Sequence, residues 1–340
     1  MVSVSAADPP DRPLPLSKVA LGCGVFSGAY GPVEQSDVLA TVRKALSSGI
    51  NMVDTSPYYG NSEDRLGQAL KDLADEFPRS SYYICTKLGR YGYRKTDFDY
   101  SAKRVYDSIN ESMRRLNTSY LDIVLCHDVE FVDTLQVVNE TLPSLFELKR
   151  AGVVRRVGVS GYPLETLLEI AQIQHKRGRP LDICLSYCNF NLHCQLLEEY
   201  VPKLRAAGVA TIISASPLSM GLLNQDVTPE WHPAKAELKA AVAQCSAVVR
   251  QSLETGVSIS LAEMAEHFSF SCPGADVHLV GAKTEDQVRR ALDAYCQATS
   301  LNLATGGSYT DPDIQNVYRQ ITSILTPFAR YTWPSPPADA

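Results

Sequence analysis

The sequence contains no long apolar run and no export signal. Nowhere do its 340 residues approach the roughly 20 consecutive apolar residues that a membrane-spanning helix requires. The N-terminal segment MVSVSAADPPDRPLPL lacks both the basic region and the apolar region of a signal peptide. We therefore expect a cytoplasmic protein that does not associate with membranes.

Positive charge is also scarce and dispersed. The chain has 32 lysines and arginines against 38 aspartates and glutamates, for a formal net charge of −6. Because no basic stripe is present, neither nucleic acid nor an anionic membrane surface is an expected partner. We expect a small-molecule substrate, and a monomer or a weak homo-oligomer.

The nine cysteines form no C-x-x-C pair, and their number is odd. A disulfide framework or a cysteine-ligated metal site would need paired spacings. We interpret these residues as reduced, mostly buried small hydrophobic side chains, and we predict no metal site.

Short apolar runs recur along the chain at the spacing of one strand, one helix and two loops. Several are apolar without alternation, which is typical of parallel strands covered on both faces. Helical patterns lie between them, with starts near Ser36, Ser62 and Ser101. The predicted strands are VALGC (19–23), INMVD (50–54), YYICTK (82–87), LDIVLCH (121–127), RRVGVS (155–160), LDICLSY (181–187), VATIISA (209–215) and VHLVG (277–281).

Eight strands that alternate with helices predict a single α/β domain folded as a (β/α)8 TIM barrel. The alternative is a doubly wound open sheet, which needs a glycine-rich loop leading directly from the first strand into a helix. LGCGVFSG supplies glycines, but the next helix starts only near Ser36, so the barrel is favoured. Within the helix that ends near Gly152, Pro143 should cause a weak point or a kink.

We predict a flexible N-terminus at 1–14, a catalytic barrel at 15–327 and a proline-rich, disordered tail at 328–340. A long insertion, 216–276, separates the seventh strand from the eighth and contains PEWHPA. In a barrel it would rise from the carboxyl face, where active sites lie, and form a wall or lid. Trp231 and His232 are the candidate substrate contacts in it, and a loop packed on the barrel rim is the alternative.

Polar residues end three neighbouring predicted strands, namely Asp54, Lys87 and His127, and Tyr59 follows Asp54 in the same loop. Barrel enzymes draw their catalytic groups from the ends of several strands. Singly, Asp54 could cap a turn, Tyr59 could pack against the core and His127 could be a core histidine. Their shared location favours a catalytic set, especially since a buried lysine needs a partner.

Proton transfer gives these four residues a joint role. A tyrosine titrates near ~10, and an ammonium beside it stabilises the phenolate. We expect Lys87 to lower the pKa of Tyr59 substantially. A shift of this size requires the neighbouring charge to stabilise the phenolate by roughly 3–4 kcal/mol. Asp54 would hold and neutralise Lys87, and His127 would orient a substrate oxygen beside Tyr59.

The motifs N-x-x-D-T-S-x-x-Y-G, T-K, H-D, V-G-V-S and S-P-L-x-x-G-L-L occur in this order on these strands. With them the sequence resembles the aldo-keto reductases over about residues 15–298. The resemblance implies that Asp54, Tyr59, Lys87 and His127 are the catalytic tetrad, with Tyr59 as the acid–base group. It also implies a nicotinamide nucleotide cofactor that is held without a Rossmann fold.

Further cofactor contacts follow from the same resemblance. Ser160 would contact the carboxamide, but Gly161 replaces the asparagine that usually follows it. Leu185 stands where relatives carry a glutamine, and Ala215 where many carry a stacking aromatic ring, so the stacking residue is unidentified.

The cofactor is expected to be NAD, with NADP possible. NADP-preferring relatives often have a lysine at the position of Gly281 and an arginine at that of Gln287, and a 2′-phosphate needs such cations. Lys283 and Arg290 lie close enough in the sequence to substitute. The implied cofactor residues are Gly22, Gly24, Ser160, Ser216, Leu218, Gly281, Lys283 and Gln287.

TSPYYG, LSYC, SASPLSMGLL and PEWHPA carry a narrower resemblance, to the branch of plant L-galactose dehydrogenases and fungal NAD-dependent D-arabinose dehydrogenases. It implies an aldose 1-dehydrogenase that oxidises D-arabinose, L-galactose or L-fucose to the lactone, as in ascorbate or erythroascorbate synthesis. Two alternatives stay open: a broad NADPH-dependent aldehyde and ketone reductase, and a non-catalytic nicotinamide-binding regulatory subunit.

Overall fold

In the computed structural model, which describes residues 13–224, 230–301 and 309–335, eight parallel strands close into a barrel in sequence order. The last strand pairs with the first, so the predicted (β/α)8 barrel is confirmed and the open sheet is wrong. The strands are β1 (Val19–Gly22), β2 (Met52–Asp54), β3 (Tyr83–Leu88), β4 (Leu121–His127), β5 (Val154–Gly161), β6 (Ile183–Tyr187), β7 (Thr211–Ala215) and β8 (Val277–Gly281).

The helices begin close to the predicted starts. The first begins at Gln35, one residue before Ser36, and Ser101 caps its helix by accepting a hydrogen bond from Arg104 N. The helices are α1 (Gln35–Ser47), α2 (Ser62–Asp72), α3 (Ala102–Arg115), α4 (Thr134–Gln136), α5 (Leu142–Arg150), α6 (Leu164–Lys176), α7 (Leu196–Ala206), α8 (Ala236–Glu254), α9 (Leu261–Phe270), α10 (Glu285–Leu301) and α11 (Pro312–Leu325).

The predicted weak point at Pro143 takes the form of a π-helical turn, Val137–Thr141, which joins α4 to α5. Proline cannot donate the backbone hydrogen bond that would continue an α-helix. A π turn absorbs this defect without ending the helix. One carbonyl of the turn, Glu140 O, accepts a hydrogen bond from Ser144 Oγ at 2.9 Å.

Side-chain alternation within the strands brings polar groups to the carboxyl face. Met52, Cys85 and Leu125 belong to the apolar cluster that fills the barrel interior. Successive side chains on a strand point to opposite faces, so the residue two positions later returns to the interior side. The residues two positions later are Asp54, Lys87 and His127.

Both predicted chain ends need correction. Leu14 is buried and packs on the interior cluster, so the packed chain starts earlier than predicted; residues 1–12 lie outside the described residues. A disordered tail from 328 is wrong for 328–335, because Trp333 is only 6% exposed and stacks on Tyr162 with ring centroids 4.7 Å apart. Burial of a large aromatic ring favours an ordered position for the segment that carries it. Residues 336–340 lie outside the described ones.

The insertion between β7 and β8 contributes α8 and α9, which pack with α11 as a second apolar cluster. Eight of the nine cysteines are buried, as predicted, and Cys296 is exposed. In the described part of the chain no helix has the length and apolar character needed to cross a membrane. Over the same residues, no group of three or more His, Cys, Asp or Glu side chains could hold a metal ion.

Candidate active site

The ends of β2 and β3 form a buried ion pair. Lys87 Nζ lies 2.5 Å from Asp54 Oδ1, and both side chains are 2% exposed. The ammonium also donates to Thr55 O at 2.9 Å. Burial opposes the ammonium form, but Asp54 and Tyr59 outweigh it and raise the pKa of Lys87 well above its ordinary value. Lys87 is therefore protonated at neutral pH.

Tyr59 is placed over this pair by a turn. Tyr59 N donates to Ser56 O at 3.0 Å, and Pro57 occupies the second turn position, which its fixed φ favours. Lys87 Nζ lies 4.9 Å from the centroid of the Tyr59 ring. On another side the ring packs against Gly24, where a Cβ would lie 3.4 Å from Tyr59 Cε2.

The expected lowering of the Tyr59 pKa is wrong in its net direction. Burial raises the pKa of Tyr59 to about 12, and Lys87 opposes this without overcoming it. Charge attraction works as expected, but removal from water disfavours the phenolate more strongly. In the ligand-free protein Tyr59 is thus a protonated phenol at neutral pH.

His127 completes the predicted set as a neutral imidazole. Its ring meets that of Tyr59 edge-on, with centroids 5.5 Å apart. Burial, followed by the charges of Lys87 and Arg90, lowers the pKa of His127 well below its ordinary value. Nδ1 lies 2.9 Å from Ser56 Oγ, which already accepts from Tyr58 N. The serine hydroxyl can then donate to Nδ1, which leaves the imidazole proton on Nε2.

A second ion pair, which the sequence analysis missed, lies beside His127. Arg90 Nη1 lies 2.5 Å from Asp128 Oδ2, and the same oxygen lies 3.6 Å from His127 Nε2. Arg90 also donates to Tyr58 Oη at 2.9 Å and covers that ring. We call Arg90 and Asp128 the rim pair. In the sequence, only the aspartate of the H-D motif pointed to this ion pair.

The predicted lid residues have different roles. Trp231 is 52% exposed, and its ring meets Tyr30 edge-on at 5.7 Å, so it bridges the loops after β7 and β1. His232 is buried and uses both ring nitrogens within the protein: Nε2 pairs with Ser219 O at 2.8 Å, and Nδ1 accepts from Ala234 N. Its ring packs edge-on against Trp333. His232 therefore ties the insertion together and has no ring nitrogen left for a sugar.

Comparison with known proteins identifies the family. Residues 18–302 match the model of the Aldo/keto reductase family. The chain belongs to this family. It is 39% identical to the L-galactose dehydrogenase of Arabidopsis thaliana over 324 residues, which cover 95% of this chain and 94% of that protein. It is 37% identical to the D-arabinose 1-dehydrogenase of Saccharomyces cerevisiae over 286 residues, or 82% and 83% of the two chains.

Among solved structures, a putative aldo-keto reductase from Pseudomonas aeruginosa matches with a TM-score of 0.60 and 23% identity. The match covers 84% of this chain and 92% of that chain and supports the fold alone. As a member of the family, this protein is an oxidoreductase, and aldo/keto reductases use nicotinamide cofactors.

The site of this aldo/keto reductase fits such a cofactor at its nicotinamide end. Asp54 Oδ2 is buried and has no hydrogen-bond partner among the described residues, so it can accept from a ligand hydroxyl. Ser160 lies beside His127 in the β4–β5 register and is buried, with Oγ donating to Cys126 O. A Cβ at Gly161 would lie 2.5 Å from Glu130 Oε2, so this position must remain glycine unless Glu130 moves.

The residues predicted to contact the rest of the cofactor lie at or just after the carboxyl ends of β1, β7 and β8. Gly22 and Gly281 are paired in register between β1 and β8. Ser216, with a left-handed backbone (φ 62), and the partly buried Leu218 start the loop after β7. A left-handed backbone at a non-glycine residue is uncommon and concentrates at functional turns.

Two cationic side chains near β8, Lys283 and Arg290, each have a partner within the protein. Lys283 Nζ donates to Tyr30 O at 2.9 Å, which joins the loops after β8 and β1. Gln287 Oε1 accepts from Lys283 N at 2.8 Å. Arg290 Nε lies 2.9 Å from Asp286 Oδ2, within a solvated face of α10.

Proposed function

We propose that this protein is an NAD-dependent aldose 1-dehydrogenase that oxidises the C1 hemiacetal of D-arabinose, L-galactose or L-fucose to the lactone. The observation that carries the proposal is the buried Lys87–Asp54 pair beneath Tyr59, with a neutral His127 at the edge of the same ring. The two relatives named as L-galactose dehydrogenase and D-arabinose 1-dehydrogenase support the choice of sugar.

The four residues divide the proton chemistry among them. The bound nicotinamide would accept the hydride that leaves C1. Tyr59, as a phenolate, would take the proton of the C1 hydroxyl on Oη as the carbonyl forms. Lys87 would stabilise this phenolate until the proton arrives. Asp54 holds Lys87 in place, and Nε2–H of His127 would donate to the same substrate oxygen. Removal from water strengthens each of these interactions.

NAD is the proposed cofactor because the site offers little to a 2′-phosphate. Gly281 and Gln287 carry no charge, and Arg290 is paired with Asp286. Lys283 Nζ uses one of its three donors on Tyr30 O, which holds it at the loop after β1. Phosphate recognition relies on available cationic donors.

The test is an absorbance assay for the reduced cofactor. Purified protein with NAD should form NADH on addition of D-arabinose, L-galactose or L-fucose, and should do so less well with NADP. Protein that reduces aldehydes with NADPH but ignores all three sugars would be the broad reductase. Protein that binds NADH, as measured by cofactor fluorescence, but catalyses neither reaction would be the regulatory subunit.

A further inference from the structure

The rim pair lies next to the proton-transfer residues, and none of the proposed proton steps passes through it. Its side chains are 13% and 4% exposed, so both charges have largely left water. Removing two charges from water costs more than their attraction regains unless the geometry and additional hydrogen bonds compensate. Arg90 has such compensation, since it also donates to Tyr58 Oη and Gly92 O.

Asp128 is less well satisfied. Oδ2 accepts from Arg90, whereas Oδ1 receives no hydrogen bond from another described residue and is not fully buried, so a ligand can reach it. Its backbone is left-handed (φ 52), a strained conformation for a residue other than glycine. Together these observations describe a carboxylate that the protein holds in place beside His127 Nε2, with one oxygen left for a ligand.

Sugar chemistry narrows the choice of ligand group. A substrate oxygen bound to His127 Nε2 can also lie close to the Asp128 carboxylate, because Asp128 Oδ2 is only 3.6 Å from that nitrogen. The reacting carbon of an aldose has two oxygen-bearing neighbours, the ring oxygen and the 2-hydroxyl. An ionised carboxylate only accepts hydrogen bonds, and the ring oxygen has no hydrogen to donate. Of these two neighbours, only the 2-hydroxyl can donate to Asp128.

We propose that Asp128, held by Arg90, accepts a hydrogen bond from the 2-hydroxyl of the aldose and so makes the site select 2-hydroxy sugars over 2-deoxy sugars. The inference rests on the proposed function, because it names the substrate group that the same site reads. A site built around a substrate hydroxyl rejects the analogue that lacks it, since its own buried polar group is then left unpaired.

The experiment compares D-arabinose with 2-deoxy-D-ribose, which differs from it only by the missing 2-hydroxyl. Wild-type protein with NAD should prefer D-arabinose by about 10- to 100-fold in kcat/KM, as expected for a hydrogen bond to a charged group. Asp128→Asn keeps a residue that tolerates the left-handed backbone but weakens the acceptor, so the preference should shrink. Asp128→Gly, which suits the same backbone, should bring it close to one.

The ratio of the two sugars separates recognition from a structural role, because a general loss of order would lower both rates equally. Asp107→Asn, an exposed carboxylate on α3 that pairs with Lys103, is the charge-matched control and should keep the wild-type ratio. Thermal unfolding and NADH binding of each variant report on its integrity. An unchanged ratio in Asp128→Asn and Asp128→Gly, or equal kcat/KM for both sugars in the wild type, overturns the inference alone. Wild-type protein that oxidises neither sugar overturns the proposed function and the inference together.

Discussion

The proposed catalytic sector and the cover above it are built in different ways. The catalytic sector, Asp54, Tyr59, Lys87 and His127, comes from the ends of three consecutive strands. The cover, Tyr30, Trp231, His232 and Trp333, comes from the loop after β1, the insertion after β7 and the end of the chain. Strand alternation places the first group, and long-range packing places the second.

Loss of the Tyr59 hydroxyl should have the largest effect. Tyr59→Phe removes the group proposed to take the substrate proton, so kcat for sugar oxidation should fall by about 10²–10⁴-fold. Fluorescence titration with NADH should give nearly the wild-type Kd. Tyr93→Phe, at a tyrosine that is 80% exposed, is the control and should retain full activity. A Tyr59→Phe protein with more than a tenth of the activity would exclude Tyr59 as the acid–base group.

Breaking the buried pair should cost stability. Lys87→Met leaves Asp54 as an unpaired charge that is 2% exposed, so the free energy of unfolding in urea should drop by about 3–5 kcal/mol. Lys103→Met breaks an exposed pair on α3 and should cause no measurable loss. If both variants lost the same free energy of unfolding, the buried Lys87–Asp54 pair would contribute no more to stability than the exposed pair on α3.

The pH dependence of the reaction tests the raised pKa of Tyr59. Sugar oxidation needs the phenolate, and burial holds the pKa of Tyr59 near about 12, so the phenolate fraction increases with pH. The kcat/KM for oxidation should therefore rise by up to about tenfold per pH unit from neutral pH upward. His127, whose pKa burial lowers, should give no inflection near its ordinary value. A plateau that starts at pH 7 would contradict the raised pKa.

The cover can be tested with the chain's two tryptophans. In Trp231→Phe the remaining Trp333 is 6% exposed, so its emission should be blue-shifted and resist quenching by iodide. In Trp333→Phe the remaining Trp231 is 52% exposed and should be quenched readily. Trp333→Ala should also lower the unfolding free energy by at least about 1 kcal/mol, because it removes the stacking on Tyr162. If iodide quenched Trp333 readily, the tail would be disordered, as the sequence predicted.

The smallest effect concerns the cofactor. Gln287→Arg adds a cationic donor near the proposed ribose site and should improve kcat/KM for NADP relative to NAD by about tenfold. Gln297→Arg, on an exposed position further along α10, is the matched control and should leave the ratio unchanged. If both variants keep the wild-type ratio, Gln287 does not face the ribose.

The parts that the sequence analysis missed depend on distant residues. Arg90 and Asp128 are 38 positions apart, and no local pattern pairs them. The PSPP composition around Trp333 predicted disorder, because composition does not report the Tyr162 ring that receives it. The pKa of Tyr59 rose although Lys87 lies where it was expected, since the degree of burial is set by the whole barrel.

By itself, the sequence determined the eight strands and the identities of the residues at their carboxyl ends. Those features are encoded locally, in the apolar period of each strand and the polar residue that ends it. The tertiary structure decided which charges lose contact with water, how the cover closes and where the rim pair lies. Each of these depends on contacts between segments far apart in the chain, and burial sets the free energy of every charged group they enclose.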